Sequence, residues 1–388
     1  MDRPVANPFW YGASAGRLVD RDPEVAAVVH TLTNAGRLLL LGWRRFGKSS
    51  VLEVAAEEVA ERGVAVLRYD AEAYETIASL ARAMAAGATQ VFAGSLDRSG
   101  EIARRFFAAV RATASYDLTN QRLSIDFNLS AEQHRRPVVV LTAVLDGIEQ
   151  LAATHGRPTA VILDEFQEVI IEGGERASHE IRAAINSHRY VGYVFAGSQV
   201  RRLTEMASDP SRPFWKLGDL RFLGGIPRSE FRPFVRRGLE SAGAAVDDAG
   251  IERLLDLAAD VPFNIQWLGS MCWHGIRLGQ VGTITAASVD GVLDRLVDAH
   301  HAMYVQTWIN LTSAQRRTLK AIAGEAGDDF RLTEVAGAHA LAPSTMQRTL
   351  AALEERSLIR QVTSGTGMRW CLGDPFFARW SAHVQATA

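Results

Sequence analysis

Residues 42–49 read Gly-Trp-Arg-Arg-Phe-Gly-Lys-Ser, a complete GxxxxGK[ST] string. A loop of this kind needs an apolar strand leading in and a helix leading out. Successive backbone N–H groups and the helix N-terminus then converge on a polyphosphate. Both flanks are present: the run Leu38–Leu41 precedes the string, and residues 49–60 read as a helix. Of 42 basic residues only Lys48, Lys216 and Lys320 are lysines, and Lys48 stands where it would bridge the β- and γ-phosphates. The expected phosphate-binding set is Gly42, Arg44, Arg45, Phe46, Gly47, Lys48, Ser49 and Ser50, with ATP or ADP as the ligand.

A second string supplies acids. Thr159-Ala160-Val161-Ile162-Leu163 is an apolar strand that ends in Asp164 and Glu165. Ser49 and Asp164 are expected to hold Mg²⁺, directly or through water, while Glu165 orients and deprotonates the attacking water. The run Tyr193–Ala196 is another strand, and Ser198 at its tip is the candidate γ-phosphate sensor, a strand-to-helix cap being the alternative. Arg212, in Ser211-Arg212-Pro213-Phe214-Trp215-Lys216, follows a short helix at the place where ring-forming ATPases reach a neighbouring subunit's nucleotide. It is the candidate arginine finger; the alternative is a surface arginine beside Phe214 and Trp215.

The elements that must position these residues alternate between strand and helix patterns, which predicts a parallel sheet with crossover helices. The expected strands are Arg37–Leu41, Val64–Tyr69, Ala160–Leu163, Tyr193–Ala196 and Leu220–Leu223, and a helix is expected near Pro23–Leu32. A long segment between the second and third strands contains an alternating stretch, Leu123–Leu129, that reads as a half-exposed strand in a hairpin. Residues 227–297 read as helical, with breaks at Gly243, Pro262 and Gly279–Gly282. Beyond residue 311 come three helices (Leu311–Ala323, Leu332–His339, Pro343–Arg356) and a hairpin (Leu358–Val362, Met368–Leu372). That order is a winged helix-turn-helix, with Met346, Leu350 and Leu353 as the inward stripe of its third helix. The expected division is an α/β P-loop ATPase core over 1–226, a helical lid over 227–299 and a winged-helix domain over 300–388.

Asn7-Pro8-Phe9, Gly-x-Arg-Arg-x-Gly-Lys-Ser-Ser, Leu-Asp-Glu-Phe-Gln-Glu, Phe-Ala-Gly-Ser, Arg-Pro-Phe-Trp and Pro-Phe-Asn-Ile-Gln together resemble the archaeal-type predicted ATPases. These belong to the AAA-plus/STAND branch of P-loop proteins, and the likeness runs from Asn7 to Asp374-Pro375-Phe376-Phe377. The resemblance implies an ATPase core, a helical lid and a C-terminal winged helix. It also implies that Pro262 approaches the nucleotide and that Arg21 borders the adenine side. No lid arginine stands beside Pro262 to act as a second phosphate sensor, and the nuclease-like extension of some family members is not expected here.

Composition bounds the rest. The 388 residues carry a formal net charge of −2 and are 47% hydrophobic, the profile of a soluble globular protein. No apolar stretch reads as a membrane helix and no signal peptide is evident, so a cytoplasmic location and no membrane partner are expected. Cys272 and Cys371 are too few for a disulfide or zinc framework. Residues 312–388 hold nine basic and seven acidic residues, a modest excess for a DNA reader. Ser344, Thr345, Gln347 and Arg348 on the third helix, with Arg369 on the wing, are the candidate contacts to double-stranded DNA. Two readings follow: a homo-oligomeric, DNA-associated ATPase, or a slow nucleotide switch whose winged helix recruits a protein partner.

Overall fold

The computed structural model describes residues 6–11, 18–96, 112–117, 122–127, 136–324, 342–364 and 367–386. Contacts divide these into two units. One comprises residues 18–43 and 47–224; the other comprises residues 6–11, 44–46 and 225–386.

The first unit is built on five parallel strands, β1 (Arg37–Leu41), β2 (Ala65–Asp70), β5 (Thr159–Asp164), β6 (Val191–Gly197) and β7 (Asp219–Phe222). Their order in the sheet is β2-β5-β6-β1-β7. All five strands expected from the sequence form: β1, β5 and β6 are apolar runs bounded by turn residues, while β7, Asp-Leu-Arg-Phe at the sheet's edge, is exposed along its length. β5 and β6 are buried along their whole length, as interior parallel strands covered on both faces must be. Alternation splits their side chains between two cores. Leu39, Leu41, Val161, Leu163, Tyr193 and Phe195 face α3 (Ile77–Leu96), α4 (Pro137–His155) and α5 (Gln167–Ile185). Leu38, Leu40, Ile162 and Val194 face α1 (Asp22–Thr33) and α2 (Lys48–Glu61). A short α6 (Val200–Ser208) follows β6.

The long segment after α3 holds an antiparallel hairpin, β3 (Ala112–Asp117) with β4 (Arg122–Phe127), in register Ser115 to Ser124. Asn128 and Leu129, the end of the alternating stretch, lie outside the described residues. One expectation needs correcting. Pro137–His155 reaches a mean hydropathy of 1.3 over a window long enough to cross a membrane. Val140, Leu141, Val144, Leu145 and Ile148 of this helix are buried in the sheet's core, and it packs on α3 and α5. Its apolarity serves a helix covered on more than one side.

The second unit contains α7 (Arg228–Glu240), β8 (Ala245–Val246), α8 (Asp248–Leu257), α9 (Pro262–Arg277), β9 (Thr283–Ile284), α10 (Ala286–Ala299), α11 (His301–Ile309), α12 (Ser313–Gly324), α13 (Pro343–Glu355), the antiparallel pair β10 (Ile359–Ser364) and β11 (Gly367–Leu372), and α14 (Phe376–Ala386). Its helices are capped by local chemistry: Pro262 opens α9, and Thr285 with Ser288 forms a capping box on α10. The N-terminal Asn-Pro-Phe belongs here. Phe9 is buried against Gly238 and Gly269, where an added Cβ would come within 2.6 Å of its ring. Phe9 also meets Phe234 edge-on at 5.5 Å, and Asn7 Nδ2 donates to Ser270 Oγ at 2.8 Å. On α13 the stripe Met346, Leu350 and Leu353 is buried as its spacing predicts. The helix expected over Leu332–His339 lies outside the described residues.

Candidate functional site

Strand order assembles the site. β6 lies between β1 and β5, so its C-terminal tip stands between the loop that leaves β1 and the acids that end β5. Backbone bonds tie the three tips together: Gly42 N donates to Gly197 O (3.3 Å) and Phe166 N to Ala196 O (2.8 Å). Ligands of open α/β sheets bind outside these carboxyl ends. Gly47 carries φ +89°, the left-handed turn that lets the loop feed α2 directly, and Lys48 is the first residue of that helix.

Five predicted residues converge within the first unit. Lys48, almost fully buried, ion-pairs with Asp164 Oδ1, and its Nζ lies 3.2 Å from Glu165 Oε1. Ser49 Oγ donates to Asp164 Oδ2 at 2.9 Å. Ser198 donates to Glu165 Oε2 through both Oγ (2.7 Å) and its backbone N–H (3.3 Å). Glu165 itself sits at φ +48°, a conformation costing about 1–3 kcal/mol for a non-glycine residue and typical of functional turns. Burial pushes the Glu165 carboxyl up. The Lys48 ammonium and the hydrogen bonds from Gln167 and Ser198 outweigh that, holding it below its ordinary value. The base candidate is therefore ionised.

Two neighbours were given no site role in the sequence, although Gln167 lies in the Leu-Asp-Glu-Phe-Gln-Glu motif. Gln167, 1% exposed, donates from Nε2 to Glu165 Oε2 at 2.5 Å. Asp70 ends β2 in register with Asp164; its carboxyl is pushed up by burial and then by the charges of Asp164 and Glu165. The pairing of β2 with β5 could have pointed to Asp70. Nothing periodic points to Gln167.

The donor set suits a hard cation. Ser49 Oγ and Asp164 Oδ2 are neighbouring oxygens, and no cluster of three or more His, Cys, Asp or Glu with metal-holding geometry occurs among the described residues. Mg²⁺ is held by few protein ligands together with phosphate and water, which is what this pair could offer.

Other expected site residues are elsewhere. Arg21 is buried in the first unit; its guanidinium pairs with Glu24 and donates to Gly224 O at 2.6 Å, and burial lowers its pKa. Arg212 ion-pairs with Glu175 and lies 3.8 Å from Asp209, at a shallow cavity of about 420 Å³ shared with Arg182 and Trp215. Arg44, Arg45 and Phe46 group with the second unit. There Arg45 pairs with Asp374 (3.1 Å) and lies 5.2 Å from the Phe263 ring, and its carbonyl accepts from Phe263 N, next to Pro262. The Arg360 guanidinium lies over Phe46 at 5.2 Å. On α13, Ser344, Gln347 and Arg348 are exposed and Thr345 is half-buried; Arg369 is half-buried on β11.

Comparisons with known proteins bear on the fold. Residues 7–192 match the family described as AAA domain. Among solved structures, a Walker-type ATPase of Pyrococcus abyssi is similar with a TM-score of 0.62 at 17% identity, over 94% of this chain and 95% of that one. The Aeropyrum pernix Orc1 protein, solved in complex with DNA, is similar with a TM-score of 0.51 at 13% identity, over 97% of this chain and 96% of that one. A search of curated proteins found no match.

Proposed function

We propose that this chain is a P-loop ATPase of the AAA-plus branch, binding ATP with Mg²⁺ and hydrolysing it at Lys48, Asp164 and Glu165. The observation that carries the reading is the meeting of Lys48, Ser49, Asp164, Glu165 and Ser198 at the carboxyl ends of β1, β5 and β6.

The residues divide the work by charge and reach. Lys48 carries the positive charge that bridges the β- and γ-phosphates, for which it exchanges its carboxylate partners. Ser49 and Asp164 would hold Mg²⁺, which neutralises charge developing on the phosphate oxygens. Glu165, ionised and adjacent, takes a proton from water as the water oxygen bonds to the γ-phosphorus and the bond to the bridging oxygen breaks. Ser198 lies beside Glu165, within the same cluster that would face the γ-phosphate.

Association with duplex DNA is proposed for α13 and the β10–β11 hairpin, on the exposed Ser344, Gln347 and Arg348; the Orc1 fold likeness is compatible with it. Homo-oligomerisation with Arg212 acting in trans is proposed on its position at the surface after α6. The second reading, a slow switch, is favoured by one observation: Glu165 is already engaged by Lys48, Gln167 and Ser198.

The test is Lys48→Ala. Loss of the bridging charge is expected to abolish phosphate release from Mg-ATP and to weaken nucleotide binding. Turnover equal to the wild type would overturn the site assignment.

A further inference from the structure

We propose that Gln167 is the positioning residue for Glu165, fixing the carboxylate by one oxygen so that the other, Oε1, receives the proton from the attacking water. The proposal rests on the hydrolytic reading above and deepens it.

The two oxygens of Glu165 have different partners. Oε2 accepts from Gln167 Nε2 at 2.5 Å and from Ser198 Oγ at 2.7 Å, both neutral donors. Oε1 faces only the Lys48 ammonium, at 3.2 Å, among the described residues. A phosphate that draws Lys48 away therefore frees Oε1 and leaves Oε2 clamped. Water then adds its oxygen to the γ-phosphorus. Its proton passes to Oε1, and the electron pair of the broken P–O bond leaves with the nucleoside diphosphate.

The orientation of the amide is dictated by its neighbour. A carboxylate only accepts, so the amide nitrogen must face it. That choice leaves Gln167 Oε1 buried with no hydrogen-bond partner. A buried orphan acceptor destabilises a fold, and an apolar side chain of equal volume would avoid it. The arrangement makes sense if the donor has work to do on Glu165. The surroundings leave the amide little freedom. An added Cβ at Gly197 would come within 2.3 Å of Gln167 Oε1, and Gln167 opens α5 directly after the strained turn at Glu165.

The experiment uses the full-length chain with Gln167→Met, which keeps the volume and removes the donor, and Gln167→Asn, which keeps the amide but falls one methylene short. Steady-state Mg-ATP hydrolysis and equilibrium binding of a fluorescent ATP analogue are measured for each. Both variants are expected to lose about 10²-fold in kcat, the usual consequence of a catalytic group misplaced by about 1 Å, with the analogue bound within about threefold of wild type. Adding Gln167→Met to Glu165→Gln is expected to cost nothing further, because Gln167 acts through Glu165. A kcat within threefold of wild type in both variants, a parallel loss of affinity, or an additional loss on top of Glu165→Gln would overturn the proposal. A normal Gln167→Met beside an inactive Glu165→Gln removes only the positioning role. A wild-type chain that binds ATP without ever hydrolysing it removes the hydrolytic reading as well.

Discussion

In the proposed mechanism Glu165 is the general base, and its surroundings set its charge. Burial alone would favour its neutral form, yet Lys48, Gln167 and Ser198 keep it charged. Replacing its oxygen by an amide should therefore remove proton acceptance while leaving the phosphate contacts of Lys48 and Ser49 intact. Glu165→Gln is expected to lower kcat by about 10²–10⁴-fold and to retain unhydrolysed ATP. Quantifying bound ATP and ADP after incubation checks it; a variant that carries ADP at the wild-type rate is incompatible with a base at position 165. Lys48, Ser49, Asp164 and Glu165 were legible in the sequence because P-loop chemistry needs those types at those spacings. Gln167 was legible only as part of the Leu-Asp-Glu-Phe-Gln-Glu motif; its hydrogen bond to Glu165 was not, since it depends on a turn at φ +48° that carries the side chain back onto Glu165. Ser198 was legible as a residue at the right strand tip; its hydrogen bonds to Glu165 were not.

At the scale of elements, strand patterns alternating with helix patterns revealed all five strands, and in the structure the register of β2 on β5 places a third acid, Asp70, beside the pair. Pairing order was hidden, because nothing local in Leu38–Leu41 says that β6 and β7 flank it. The Asn7–Phe9 strap was recognisable as a motif but not as a partner of α7 and α9. Two glycines 31 positions apart, Gly238 and Gly269, open the space for Phe9, and no periodicity announces that. α13 and the hairpin invite a direct test of nucleic-acid contact. If this face binds DNA, Arg348→Ala with Arg369→Ala should weaken binding to duplex DNA and flatten the salt dependence by about one to two ions. Measuring affinity against salt concentration decides it; an unchanged slope excludes these arginines as phosphate contacts.

At the scale of the whole molecule, contacts assign the Gly42–Ser49 loop to two sets of neighbours. Gly47, Lys48 and Ser49 belong with the parallel sheet and its acids, while Arg44, Arg45 and Phe46 group with the helices and hairpin of the C-terminal unit. The twin arginines, read in the sequence as phosphate or partner contacts, thus have a defined surrounding in Asp374 and Phe263. The central claim is that the sheet-borne cluster hydrolyses ATP, and the release of inorganic phosphate tests it most directly. Wild-type protein is to be incubated with ATP and Mg²⁺, in parallel with the same mixture containing excess EDTA. The account predicts steady phosphate release that EDTA abolishes. No release above the spontaneous rate in Mg²⁺, or release indifferent to EDTA, would contradict it.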